Sequence, residues 1–115
     1  MPFVRITTTA EVSGTQRDQV LAAVSKAAAE ATGKPERYMM VLLDTGAVLL
    51  GGQSGPSAFV DVRAIGGLTP AVNGRLSAAL CAVLEQFLQV PKDRVYLTFT
   101  EFAATHWGHN GKTFG

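Results

Sequence analysis

Phe59-Val60-Asp61-Val62 repeats the pattern of Phe3-Val4-Arg5-Ile6, an offset of 56 positions (59 − 3). The same offset holds onward without a gap. Val20, Val24, Ala27, Ala28 and Ala31 fall on Leu76, Leu80, Val83, Leu84 and Phe87; Pro35 falls on Pro91; Met39-Met40-Val41-Leu42 falls on Val95-Tyr96-Leu97-Thr98. Few of these pairs are identical, but the apolar register is kept. A fixed period of this kind signals one supersecondary unit used twice, here over about residues 1–56 and 57–115.

Each half reads strand, helix, strand. Phe3 to Thr9 is rich in β-branched residues, as strands are. Gln16 to Thr32 has apolar residues at helical spacing and many alanines. Gly33 is placed to cap that helix, Lys34 to favour its negative end, and Pro35 to stop it. Met39 to Leu43 is a continuous apolar strand. In the second half, Ala58 to Ile65 reads as a strand, Pro70 to Gln89 as a helix with proline in its first turn, and Arg94 to Phe102 as the last long strand. His106 to Gly115, with Gly108 and Gly111, is a loop or a short strand pair.

Two strand-helix-strand units imply parallel pairs joined by right-handed crossovers. The fold class is therefore α+β: two β-α-β repeats in a four-stranded mixed sheet, with two helices on one face, in a single domain over 1–115. The other face is left bare. Met39-Met40-Val41-Leu42-Leu43 is nonetheless apolar on both sides of its strand, the pattern of a strand covered on both faces. No third helix is present in the sequence to cover it, so the expected cover is another copy of the chain.

Composition excludes several classes. Ten Lys and Arg against nine Asp and Glu, net +1, leave no basic stripe for phosphates, so nucleic acid is not the expected partner. No apolar run reaches the ~20 residues of a membrane span, and the start has no signal-peptide core. A cytoplasmic protein is expected. The one cysteine, Cys81, sits among Leu80, Ala82 and Val83 and reads as a small buried hydrophobe. With two histidines it gives no metal spacing.

A strand begins directly behind Met1-Pro2. A small residue after the initiator lets an aminopeptidase remove Met1, exposing a free prolyl amine. A free α-amino group titrates near ~8. Burial or a nearby cation would lower that value and make the amine a general base at neutral pH.

The blocks Met1-Pro2, Thr32-Gly33-Lys34-Pro35-x-x-Tyr38, Gly51-Gly52, Ala64-Ile65-Gly66, Asp93-Arg94-Val95-Tyr96 and Asn110-x-x-Thr113-Phe114 resemble, in order and spacing, those of the macrophage migration inhibitory factor family of the tautomerase superfamily. The resemblance runs end to end. It implies a homotrimer, with three sheets forming a barrel ringed by helices and active sites at subunit boundaries. The implied reaction is the keto-enol tautomerisation of phenylpyruvate-like 2-oxo acids and the isomerisation of dopachrome, without cofactor or metal. By the resemblance Pro2 is the base, Lys34 the cation for the substrate carboxylate, and Ile65 a backbone contact. Tyr38, Tyr96 and Phe114 are pocket aromatics, with Tyr96 reaching a neighbouring subunit's Pro2. Secretion without a signal peptide also occurs in the family.

The residues differ from the family pattern in places. Thr98 stands where the family has asparagine and offers one donor in place of two. His109 replaces the usual tail tryptophan, and Trp107 lies two places earlier as an alternative wall for the ring slot. The mammalian Cys-x-x-Cys falls on Ser57-Ala58-Phe59-Val60, so the thiol chemistry proposed for that motif is not expected. Arg37 is additional and could provide a second carboxylate contact. Two functional readings follow: a catalytic tautomerase of small aromatic 2-oxo acids, or a cytokine-like protein with a vestigial pocket and a protein partner.

Overall fold

In a computed structural model, residues 2–115 are described. Met1, whose removal the sequence reading expects, lies outside them.

The long elements repeat at the offset of the sequence. Strand β1, Pro2–Thr8, corresponds to β3, Ala58–Ala64; helix α1, Gly14–Thr32, corresponds to α2, Pro70–Leu88. Strands β2, Met40–Thr45, and β4, Val95–Glu101, close the two units, and short strands β5, Gly108–His109, and β6, Lys112–Thr113, form a separate hairpin. The expected ends hold to within one or two residues. The single 3-10 turns Glu36–Tyr38, Lys92–Arg94 and Ala104–His106 were not legible in the sequence.

Local chemistry explains the helix ends. The Ser13 hydroxyl accepts from the Gln16 amide, and the Gln16 side chain accepts in return from the Ser13 amide, both at 3.1 Å. Thr69 caps α2, and Pro70 stands at its start. Gly33 ends α1 at φ 70°, its amide donating to the Ala29 carbonyl, and the equivalent position in the second half is Gln89 at φ 54°.

The sheet runs β2-β1-β3-β4. β1 pairs parallel with β2, β3 pairs parallel with β4, and the two halves join antiparallel through β1 and β3. Alternation then sorts the side chains. Val4, Ile6, Val60, Val62 and Ala64 are buried under the helices with Val20, Val24, Leu76, Leu80 and Leu84 in one cluster. Cys81 is buried in the same cluster, as the sequence suggested.

The opposite face is open in the single chain. Met39, Val41 and Leu43 of the apolar run pack on the core, while Met40 and Leu42 are 63% and 41% exposed. The central strands carry charge on this face: Arg5 pairs with Asp44 at 2.8 Å and Arg63 with Asp61 at 2.9 Å.

Candidate active site

Pro2 opens β1 opposite Ala64 of β3, and its ring is fully buried. It forms part of the wall of a cavity of about 380 Å³ shared with Phe3, Arg37, Tyr38, Met39, Met40, Trp107, Gly108, His109 and Phe114. That volume lies at the small end of the range for ligand pockets, about 300 to 1,000 Å³.

Three local features bring this wall together. The 3-10 turn Glu36–Tyr38, started by Pro35, presents Arg37 and Tyr38 just ahead of β2. The register Phe3 to Met40 places two apolar side chains beside Pro2 on the open face. The β5–β6 hairpin turns at Asn110 and Gly111, both at positive φ (53° and 78°), as a tight hairpin turn requires. Its closing bond, from the Phe114 amide to the Trp107 carbonyl at 3.1 Å, holds the tail over the cavity.

The aromatics are ordered by contact. His109 stacks on Phe114 with centroids 5.5 Å apart and planes within 9°. Trp107 meets Phe102 edge-on at 5.8 Å. The Arg37 guanidinium lies 4.7 Å above the Tyr38 ring. Tyr38 and Phe114 are 42% and 40% exposed, so they are not core residues.

Lys34 does not serve the end of its own helix, as its position beside Gly33 suggested. Its ammonium crosses to the turn after β3 and donates to the Ile65 and Gly66 carbonyls at 3.1 and 2.8 Å. Ile65 is thus engaged through its backbone. The turn is built to receive the lysine: a Cβ at Gly67, where φ is +81°, would come within 3.2 Å of Lys34 Cε. Glu101 accepts from the Leu68 amide at 3.2 Å. Burial lowers the Lys34 pKa from the ordinary 10.5, and the Glu101 carboxylate partly opposes that. Because Ile65 directly follows Pro2's register partner Ala64, the ammonium lies at Pro2's end of the sheet, although it is not part of the cavity wall.

Tyr96 and Thr98 are elsewhere. Pro2 pairs with Ala64, which pairs with Glu101, whereas Tyr96 pairs with Phe59. Along β4, Tyr96 is five positions from Glu101 (101 − 96), ~17 Å at about 3.3 Å per residue. Tyr96 is 66% exposed and borders a different hollow of about 230 Å³, with Leu49, Phe59 and Arg94. Within one chain, Pro2, Tyr38, Trp107 and Phe114 meet, Lys34 and Ile65 adjoin them, and Tyr96 and Thr98 do not.

The sequence reading did not assign Phe3, Met40 or Glu101 to the site. Period-two alternation could have put Phe3 and Met40 on one face, but only the β1–β2 register sets them side by side.

The family model described as macrophage migration inhibitory factor matches residues 1–115. A homologue of that factor from Brugia malayi is 36% identical over 92 residues, covering 79% of this chain and 80% of its own. The structure of macrophage migration inhibitory factor from Toxoplasma gondii superposes with a TM-score of 0.93 at 39% identity, covering 97% of this chain and 99% of the other. A protein whose crystal structure was solved as inactivated by 2-oxo-3-pentynoate superposes with a TM-score of 0.86 at 26% identity, covering 96% and 94%.

Proposed function

The chain belongs to the macrophage migration inhibitory factor family, and from that premise we propose that it is a cofactor-independent keto-enol tautomerase of phenylpyruvate-like 2-oxo acids, with dopachrome as a second substrate and Pro2 as general base once Met1 is removed. The observation that carries this reading is the cavity itself: a buried proline at the head of β1 forms its wall together with Tyr38, Trp107 and Phe114.

In the proposed reaction the neutral Pro2 nitrogen takes a proton from C3 of the ketone. The C–H electrons form the C2–C3 double bond, and the carbonyl π electrons move to oxygen, which takes up a proton. The reverse path gives ketone from enol. Lys34 holds the substrate carboxylate through the N–H that its two carbonyl partners leave unused. A positive charge there also disfavours protonation of the amine, which keeps the base neutral near pH 7. The apolar wall excludes water and takes the ring. A related protein's inactivation by 2-oxo-3-pentynoate, itself a 2-oxo acid, supports the choice of functional group.

Tyr96 and Thr98 join this site only if a second chain brings them, and a homotrimer is the proposed assembly. The exposed Met40 and Leu42 support it, since the open sheet face otherwise leaves apolar edge residues in water. A second reading, a cavity that binds without turnover and a protein partner in signalling, is favoured by the shorter single-donor Thr98. The ultraviolet assay of phenylpyruvate ketonisation separates the two. Turnover by the wild type that is lost in Pro2→Gly supports the tautomerase; a folded wild type with no turnover above buffer sinks it.

A further inference from the structure

Among the described residues, Arg37 is the only lysine or arginine in the cavity wall. It is also the one arginine among the described residues whose guanidinium has neither a carboxylate nor a carbonyl partner. Arg5, Arg17 and Arg63 are paired with Asp44, Asp18 and Asp61. Arg75 donates to the Ala31 carbonyl, and Arg94 to the carbonyls of Gln53 and Pro56. Arg37 has only the Tyr38 hydroxyl, at a long 3.4 Å. The guanidinium carbon lies 4.7 Å from the Tyr38 ring centroid, and apart from the N–H aimed at the Tyr38 hydroxyl its donors have no acceptor among the described residues.

The sheet order puts the two cations on opposite sides of Pro2. β1 lies between β2 and β3. The Lys34 ammonium is bound on the β3 side, at Ile65 and Gly66. Arg37 stands on the β2 side, in the turn that leads to Met40, the register partner of Phe3. A substrate with one carboxylate needs one of these charges. An exposed planar fork with no carboxylate or carbonyl partner, held over a ring at the cavity wall, suits a second carboxylate, which it can bind through two parallel hydrogen bonds.

We infer that Arg37 is a specificity-determining residue, and that the cavity takes diacids: 2-oxo acids with a second carboxylate at the far end of the ring or chain. The Lys34 side takes the 2-oxo carboxylate and Arg37 takes the distal one, with the C3 proton between them at Pro2. The inference rests on the tautomerase reading for its kinetic test but not for its binding test.

The test compares phenylpyruvate with its para-carboxy derivative, using wild type, Arg37→Ala and Arg37→Lys. The wild type is expected to prefer the diacid in kcat/KM, mainly through a lower KM. Arg37→Ala should reduce that preference at least tenfold, and Arg37→Lys should keep part of it, having charge without the fork. A preference unchanged in Arg37→Ala overturns the inference, as does a wild type with no preference. If no variant turns over either compound, the catalytic reading fails by itself. The same pair is then titrated against the fluorescence of Trp107, the single tryptophan and a wall residue. Tighter diacid binding that is lost in Arg37→Ala sustains the inference, and equal binding of both compounds by wild type overturns it.

Discussion

The Lys34 ammonium donates to the Gly66 carbonyl at 2.8 Å, across 32 residues of chain. A lysine at the end of α1 is thereby tied to the turn that follows β3, next to the strand position opposite Pro2. The contact joins the two halves of the repeat at the place where the proposed chemistry occurs.

Replacing the base should remove the reaction and leave the fold. Pro2→Gly is expected to lower kcat/KM for phenylpyruvate roughly a hundred- to ten-thousand-fold, the usual worth of a general base. Mass spectrometry of the purified protein should find Met1 absent in both forms. Normal turnover by Pro2→Gly would remove Pro2 from the mechanism.

Glu101 should set the alkaline limit of activity. Burial lowers the Lys34 pKa and Glu101 raises it, so the charged lysine is lost somewhat below the ordinary 10.5. With Glu101→Gln the raising influence disappears, and the alkaline limb of the kcat/KM profile should move to lower pH. The acid limb, which reports the base, should move less. The sign for stability follows from the same shift. The unfolded chain binds the Lys34 proton more tightly than the folded one, so this group makes folding more favourable as pH rises from the folded pKa toward 10.5. An alkaline limb that stays in place in Glu101→Gln excludes Lys34 as the titrating cation.

The open face of the sheet should be an assembly surface. Leu42 is 41% exposed on edge strand β2. Leu42→Asp places a charge there without entering the core, and is expected to shift the mass measured by light scattering from three chains toward one. Activity should fall with it, because Tyr96 and Thr98 lie far from Pro2 in the same chain. A wild type that is monomeric and fully active would rule out the shared site.

Arg94 should matter for stability. Its guanidinium donates to the Gln53 carbonyl at 2.9 Å, the Pro56 carbonyl at 2.8 Å and the Ser57 hydroxyl at 2.7 Å, fastening the loop between β2 and β3. Ser57 is itself buried and accepts at its carbonyl from the Thr8 hydroxyl. Arg94→Ala leaves these acceptors without their donor and should cost about 1–3 kcal/mol in urea unfolding at fixed protein concentration. A loss below the error of the measurement would show that water replaces the clamp.

Much of the candidate site was legible because its residues stand in short blocks. Pro2 at a strand start and Lys34 after a capping glycine can be read from the backbone they imply, whereas Tyr38 and Phe114 enter through the family resemblance that their blocks carry. Trp107 and Phe114 were legible as wall candidates and do line the cavity. What could not be read was where long side chains go. The position of Lys34 suggests the α1 carbonyls, but its four-carbon stem reaches acceptors 31 and 32 residues away. Arg37 was legible only as an additional cation after Pro35, and the folded chain brings it to the cavity wall with Pro2 and Tyr38.

The sequence by itself determined the units: two β-α-β repeats, the ends of both helices and the face of each that is buried. These follow from periodicity, capping residues and proline, which act within a few residues of chain. The tertiary structure decided how the units meet. The antiparallel pairing of β1 with β3 sets the order β2-β1-β3-β4 and puts Ile65, Gly66 and the tail hairpin at the Pro2 end while sending Tyr96 to the other. Such register is fixed by many long-range hydrogen bonds and by the burial of one whole face, since a slip of one residue would turn Val4, Ile6, Val60 and Val62 out of the core. No single residue carries that information, and only the folded chain reveals it.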